Sequence, residues 1–207
     1  MGWLIVGMLI VAVQATVPLT QPQRVQLDSA TDFSSRFDEA ALYPLLQNAL
    51  AWEAGNEAGA VVPDYAAILK APADHRGTLF LIEGLFAGTP RGGTLSVTPL
   101  SRGGAWDDRL QQWVVVVDPV KDDVAVVYLV DPPPAPSAGA EVRLVARFYK
   151  VLADQDRHGR PTDYLTFVGK SAAVQTSGTG RDTSWGVWPL LGAMLLLAGR
   201  QWPNLRA

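Results

Sequence analysis

Residues 141–152, EVRLVARFYKVL, decide the fold. Glu141, Arg143 and Arg147 alternate with Val142, Leu144, Ala146 and Phe148. Successive side chains of a strand point to opposite faces, so this spacing predicts one wet face and one buried face. Lys150 shares the parity of Phe148, which would turn it inward, with only the strand end giving its amine a route to water. The same period of two recurs on either side. Strands are predicted over 78–86, 94–98, 111–117, 124–129, 141–152 and 164–174, separated by Gly, Pro and Asp clusters. Gly84 interrupts the apolar run LFLIEGLF and predicts a bulge or sharp bend, as the corner of a small closed barrel requires.

Upstream of residue 77 the period lengthens. Phe37, Ala41, Leu45, Ala49 and Trp52 recur close to helical spacing, with Ser34 or Ser35 as N-cap and Asp38 and Glu39 in the first turn. Gly55 is a natural stop, and Pro44 either kinks this helix or marks its first turn. Residues 63–70, PDYAAILK, predict a second short helix opened by proline and closed at Pro72. Five or six short strands after two helices make the chain mainly β within the α+β class, either a small OB-like β-barrel or a sandwich.

Both ends are apolar. Residues 1–17 carry no charged side chain, and the run from Trp3 to Val13 is too short to cross a hydrocarbon core of about 30 Å at about 1.5 Å per residue. With a small residue at Ala15, residues 1–15 read as a signal peptide cleaved there, although no Lys or Arg precedes the run. Residues 16–34 are polar and proline-dotted and read as a flexible lead-in to the helical segment 35–72. The barrel domain is expected over 73–176, followed by a linker, 177–184. Residues 185–202 are then expected to form a transmembrane helix. Leucines surround it, Trp185, Trp188 and Trp202 suit the interfacial belts, and Arg200 reaches the headgroups. Arg200 and Arg206 predict that the tail, 203–207, is cytoplasmic and that the body lies outside the inner membrane.

Charge and cysteine usage exclude several classes. Residues 16–72 carry three Lys/Arg against seven Asp/Glu, 73–176 eleven against twelve, and 177–207 three against one, which sum to the net −3. A near-neutral body makes nucleic acid an unlikely partner, because such binders neutralise phosphates. No cysteine is present, so neither a disulfide framework nor a thiolate metal site can exist. His75 and His158 lie far apart in polar segments and form no zinc-ligand spacing. Asp154, Asp156 and Gly159 imitate part of a calcium loop, but Leu165 stands where its bidentate Glu belongs. No serine sits in a nucleophile elbow, and carboxylates such as Asp118 and Asp131 form no catalytic pair. No metal, cofactor or enzymatic activity is expected. The one hint of a ligand surface is the set Arg143, Arg147, Tyr149, Lys150, Tyr164 and Lys170, since basic and aromatic strand residues are how OB-folds hold single strands or glycans.

Three stretches, HRGTL at 75–79, ARFYK at 146–150 and FVGKS at 167–171, resemble an uncharacterised family of bacterial proteins. That family places an Arg-Gly before the first strand of a membrane-tethered OB-like barrel, a Gly-x-Phe-Phe-Lys-like strand within it and a Val-Gly-Arg-like strand at its end. The chain departs at Ala146, where glycine is expected, and at Lys170, where arginine is commoner. The resemblance implies the fold and the tether, and no activity. The expected function is therefore a non-enzymatic exported domain, anchored in the lipid bilayer, that binds or assembles with an envelope protein. A binder of single-stranded nucleic acid or glycan is the alternative.

Overall fold

The computed structural model describes residues 17–36, 38–53, 57–88, 110–121, 123–156 and 159–175. Among the described residues there are five strands: β1 (Leu79–Gly88), β2 (Gln111–Asp118), β3 (Asp123–Leu129), β4 (Glu141–Gln155) and β5 (Pro161–Gln175). Each falls on a strand expected from the alternation. The expected strand at 94–98, the signal peptide with Ala15, and the span with Trp185, Trp188, Arg200 and Trp202 lie outside the described residues. Among the described residues, no helix is long and apolar enough to cross a membrane.

All pairings are antiparallel except β3 with β5, and the order β1-β2-β3-β5-β4 closes on itself through β4 and β1. Closure removes most of the unpaired backbone that an open sheet would expose. The inward residues are large and apolar, among them Phe80, Ile82, Phe86, Trp113, Phe148 and Phe167. Phe167 meets the rings of Phe80 and Phe148 edge-on, with centroids 6.0 and 5.6 Å away. Such pairs add roughly 0.5–1.5 kcal/mol each beyond area burial. The expected bulge is not at Gly84, since the ladder to β4 runs unbroken through it and the irregularity against β2 lies between Phe86 and Gly88. Instead β1 approaches β2 closely at Gly84, and a Cβ would press into the Val116 carbonyl oxygen and lie 2.9 Å from Val115 Cγ1.

Four short helices precede the sheet: α1 (Gln21–Leu27), α2 (Glu39–Leu50), α3 (Tyr65–Lys70) and α4 (Pro72–His75). The Asp64 carboxylate caps α3 by accepting from Ala67 N at 3.0 Å, and Tyr65 and Ile68 enter the interior cluster. α3 ends before Pro72, as its position implied, and Pro72 also opens α4, where its missing N–H costs nothing. A second core forms outside the sheet. Leu42, Leu45, Leu46 and Trp52 pack against Val126, Tyr128, Tyr149 and Val168.

Two expectations are corrected here. The lead-in is not loose: Thr20 and Gln23 form a reciprocal cap on α1, and Leu19, Leu27 and Ala30 are buried in the outer core. The first long helix starts later than its serines suggested. Asp38 is its N-cap residue but makes no side-chain cap, because that carboxylate accepts from Thr31 N (2.8 Å) and Lys150 Nζ (3.2 Å). Pro44 lies buried inside α2.

Candidate functional site

The expected ligand surface is present as a place but not as a free surface. The register of β4 against β5 slips between Phe148 and Lys150, so Tyr149 is an extra residue on β4. A bulge resets the alternation. Phe148 and Val151 therefore face the interior, while Tyr149 joins the outer core and Lys150 reaches the N-terminal segment, which corrects its expected inward parity.

Most of the set holds the chain's own N-terminal and helical segments. Arg147, expected on the wet face, is buried. It donates to Asn48 Oδ1 (3.0 Å), Gly77 O (2.7 Å) and Val17 O (2.9 Å), and its guanidinium lies 5.4 Å from the Trp52 ring centroid. Burial, with a smaller contribution from Arg24, pushes its pKa down to about 10. The Tyr149 hydroxyl accepts from Asp38 N at 2.9 Å and donates to Asp38 O at 3.0 Å, and burial pushes its pKa up. Lys150 is fully buried and donates to Arg36 O (2.7 Å) and to the Asp38 carboxylate. Lys170 donates to the carbonyls of Leu50 and Trp52. A cation placed there satisfies carbonyls that the end of α2 leaves unpaired. Tyr164 is half-buried against the outer core.

Arg143 is partly exposed. Its Nε and Nη2 donate to Glu57 at 2.6 and 2.5 Å, and its Nη1 pairs with Glu83, its cross-strand neighbour on β1. These hydrogen bonds hold the Glu57 carboxyl below its ordinary value of 4.5. A carboxyl lowered by folding contributes stability above the unfolded value and loses it as pH falls through the folded one. Melting temperature should therefore fall as pH drops below 4.5. Arg143→Gln should flatten that part of the profile, and an unchanged acid limb would disprove the assignment.

The α2 exit and the β4–β5 pair together enclose a groove of about 290 Å³, lined by Trp52, Glu53, Glu57, Arg143, Val145 and Ser171 among others. A second open surface is the outer face of β1 and β2. There Leu85, Val116 and Val124 stand in one cross-strand row beside Val114. Leu85 is 36% exposed and the three valines are half-buried. Among the described residues, no group of three or more His, Cys, Asp or Glu could hold a metal ion. Asp156, from the calcium-like stretch, is ion-paired with Arg160 at 2.7 Å. His158 lies outside the described residues.

The basic residues themselves were visible in the sequence, but their partners Asn48, Asp38 and Glu57 were not. Only Asp38 carried a signal, as a first-turn acid, and its real use depends on a contact with a residue 112 positions away. Compared with known proteins, the chain matches no family model and no curated protein.

Proposed function

We propose that this chain is a non-enzymatic exported domain, held at the inner membrane by its C-terminal apolar segment, that serves as a binding or assembly module of the cell envelope. Its barrel is OB-like: the strand order β1-β2-β3-β5-β4, with β3 and β5 parallel, supports that reading. The observation that carries the proposal is how side chains are distributed over the outside of the sheet. On β4 and β5, Arg147, Tyr149, Lys150 and Lys170, which could grip a phosphate chain or stack a base, are used on the protein's own N-terminal and α2 segments. The strand 2–3 face, where OB-folds meet oligonucleotides and glycans, carries Val114, Val116 and Val124 in their place. An aliphatic patch without an aromatic platform among the described residues favours a protein partner over a nucleic acid.

Fluorescence anisotropy at low salt with single-stranded oligonucleotides and envelope glycans is expected to show no binding up to about 100 μM, a range that even non-specific electrostatic binders reach. Photo-crosslinking from position 116 in intact membranes is expected to trap a discrete protein adduct. Tight oligonucleotide or glycan binding, or the absence of any adduct from that face, would overturn the proposal.

A further inference from the structure

The chain covers most of its own open strand edges. Val61 N donates to Leu79 O at 3.1 Å and Leu81 N donates to Val61 O at 2.9 Å, which fills the flank of β1. Phe33 N donates to Val151 O and Val151 N to Asp32 Oδ1, both at 2.9 Å, which fills the flank of β4. One edge is left. β3 runs beside β5 only along Leu165–Gly169, and Val130 and Asp131 then donate to the carbonyls of Gly169 and Lys170. Pro132, Pro133 and Pro134 follow and have no N–H to continue the ladder. From Ser171 to Gln175, β5 has β4 on one side and, among the described residues, no strand on the other.

The direction of the free groups follows from the register. Phe148 N donates to Thr78 O and Phe86 N to Ala140 O across an unbroken β1–β4 ladder, so even-numbered residues of β4 bond toward β1. The odd-numbered ones, Glu141 and Arg143, bond toward β5, which turns the N–H and C=O of Gln175 and Ala173 onto β4. Ala172 and Val174 therefore aim theirs outward. None of Ser171–Gln175 is charged or proline, so the usual edge protection is missing. The surroundings are acidic. Glu53 lines the groove beside Ser171, Glu141 faces Gln175, and Asp131 stands where β3 departs. The nearby Lys170 amine is turned away onto the carbonyls of α2.

We propose that this edge of β5 receives an extended, basic segment of a partner protein as an added strand. Main-chain bonds at Ala172 and Val174 supply affinity, and the acidic fringe selects lysine or arginine at the ends of the segment. The inference rests on the binding-module reading and narrows its partner. The test is amide hydrogen exchange on the full chain in detergent micelles. The probe is a short peptide alternating threonine and valine with lysine at both ends, and its glutamate-ended twin serves as comparison. Without peptide, the amides of Ala172 and Val174 should exchange as open positions. The lysine peptide should slow them about tenfold, and its twin should leave them unchanged at the same concentration. Val174→Pro removes one outward N–H without touching the β4 ladder and should abolish the effect. Glu53→Lys should reverse the preference between the peptides. The proposal is overturned if the two amides are already protected in the free chain, or if the peptides act alike. An adduct from position 116 with no peptide effect at Ala172 and Val174 would remove the edge site and leave the binding-module reading intact.

Discussion

Replacing Gly84 with alanine is expected to destabilise the body by about 3 kcal/mol or more, the upper range for forcing atoms into a packed interior. At roughly 2–4 °C per kcal/mol for a domain of this size, melting should drop by about 10 °C. The new Cβ would meet the backbone of β2, at the Val116 carbonyl, so relief requires β1 and β2 to separate where their pairing begins. A flexible side chain could yield, but a paired carbonyl in a closed sheet cannot do so alone. Gly59→Ala is the control. Its backbone is left-handed (φ 79°) but nothing lies within 4 Å of a Cβ there, so only conformational strain of roughly 1–2 kcal/mol is expected. Thermal melts of the two variants side by side decide the matter, and equal losses would mean that close approach at Gly84 adds no cost of its own.

The second large effect lies at Asp38. Lys150 has no exposed surface, and among the described residues its amine bonds the Arg36 carbonyl and the Asp38 carboxylate. Asp38→Ala leaves that cation buried with a single neutral acceptor, a defect that costs about 3–5 kcal/mol. It also removes the bond from Thr31 N. Lys150→Met takes away the demand itself. The Asp38 side chain retains 24% exposure and can be hydrated, so the loss there should stay below about 1.5 kcal/mol. Urea denaturation should thus show a large shift for Asp38→Ala and a small one for Lys150→Met. Equal shifts would show that the amine contributes net stability rather than a requirement that Asp38 satisfies.

The strands were legible in the sequence because their inward residues repeat every second position, and because Gly, Pro and Asp separate them cleanly. Gly84 was legible as a place where something approaches closely, but the bulge expected there falls between Phe86 and Gly88 instead. Of the helical stripe, Ala41, Leu45 and Ala49 on α2 and Trp52 just beyond it are buried as the spacing implied, while Phe37 lies outside the described residues. α1 could not be read, because a seven-residue helix with one buried residue of its own has no period to detect. Nor could the bulge at Tyr149, since one extra residue in a strand leaves its composition unchanged while inverting every face after it. That slip turns Lys150 outward onto Arg36 and Asp38, whereas Arg147 precedes it, keeps the outer face its alternation implied, and is buried there by Asn48 and Val17. Burial of cations is invisible to a pattern that counts them as surface, and here each is satisfied by backbone carbonyls that no motif records.

The domain's address is the central claim, and protease added to intact spheroplasts tests it most directly. The account predicts that external protease digests the body spanning residues 17–175 and leaves a short membrane-embedded fragment containing Trp185 and Trp202. A body that survives external protease and is cut only after the spheroplasts are lysed would contradict the account, because it would place the domain in the cytoplasm and reverse the orientation drawn from Arg200 and Arg206.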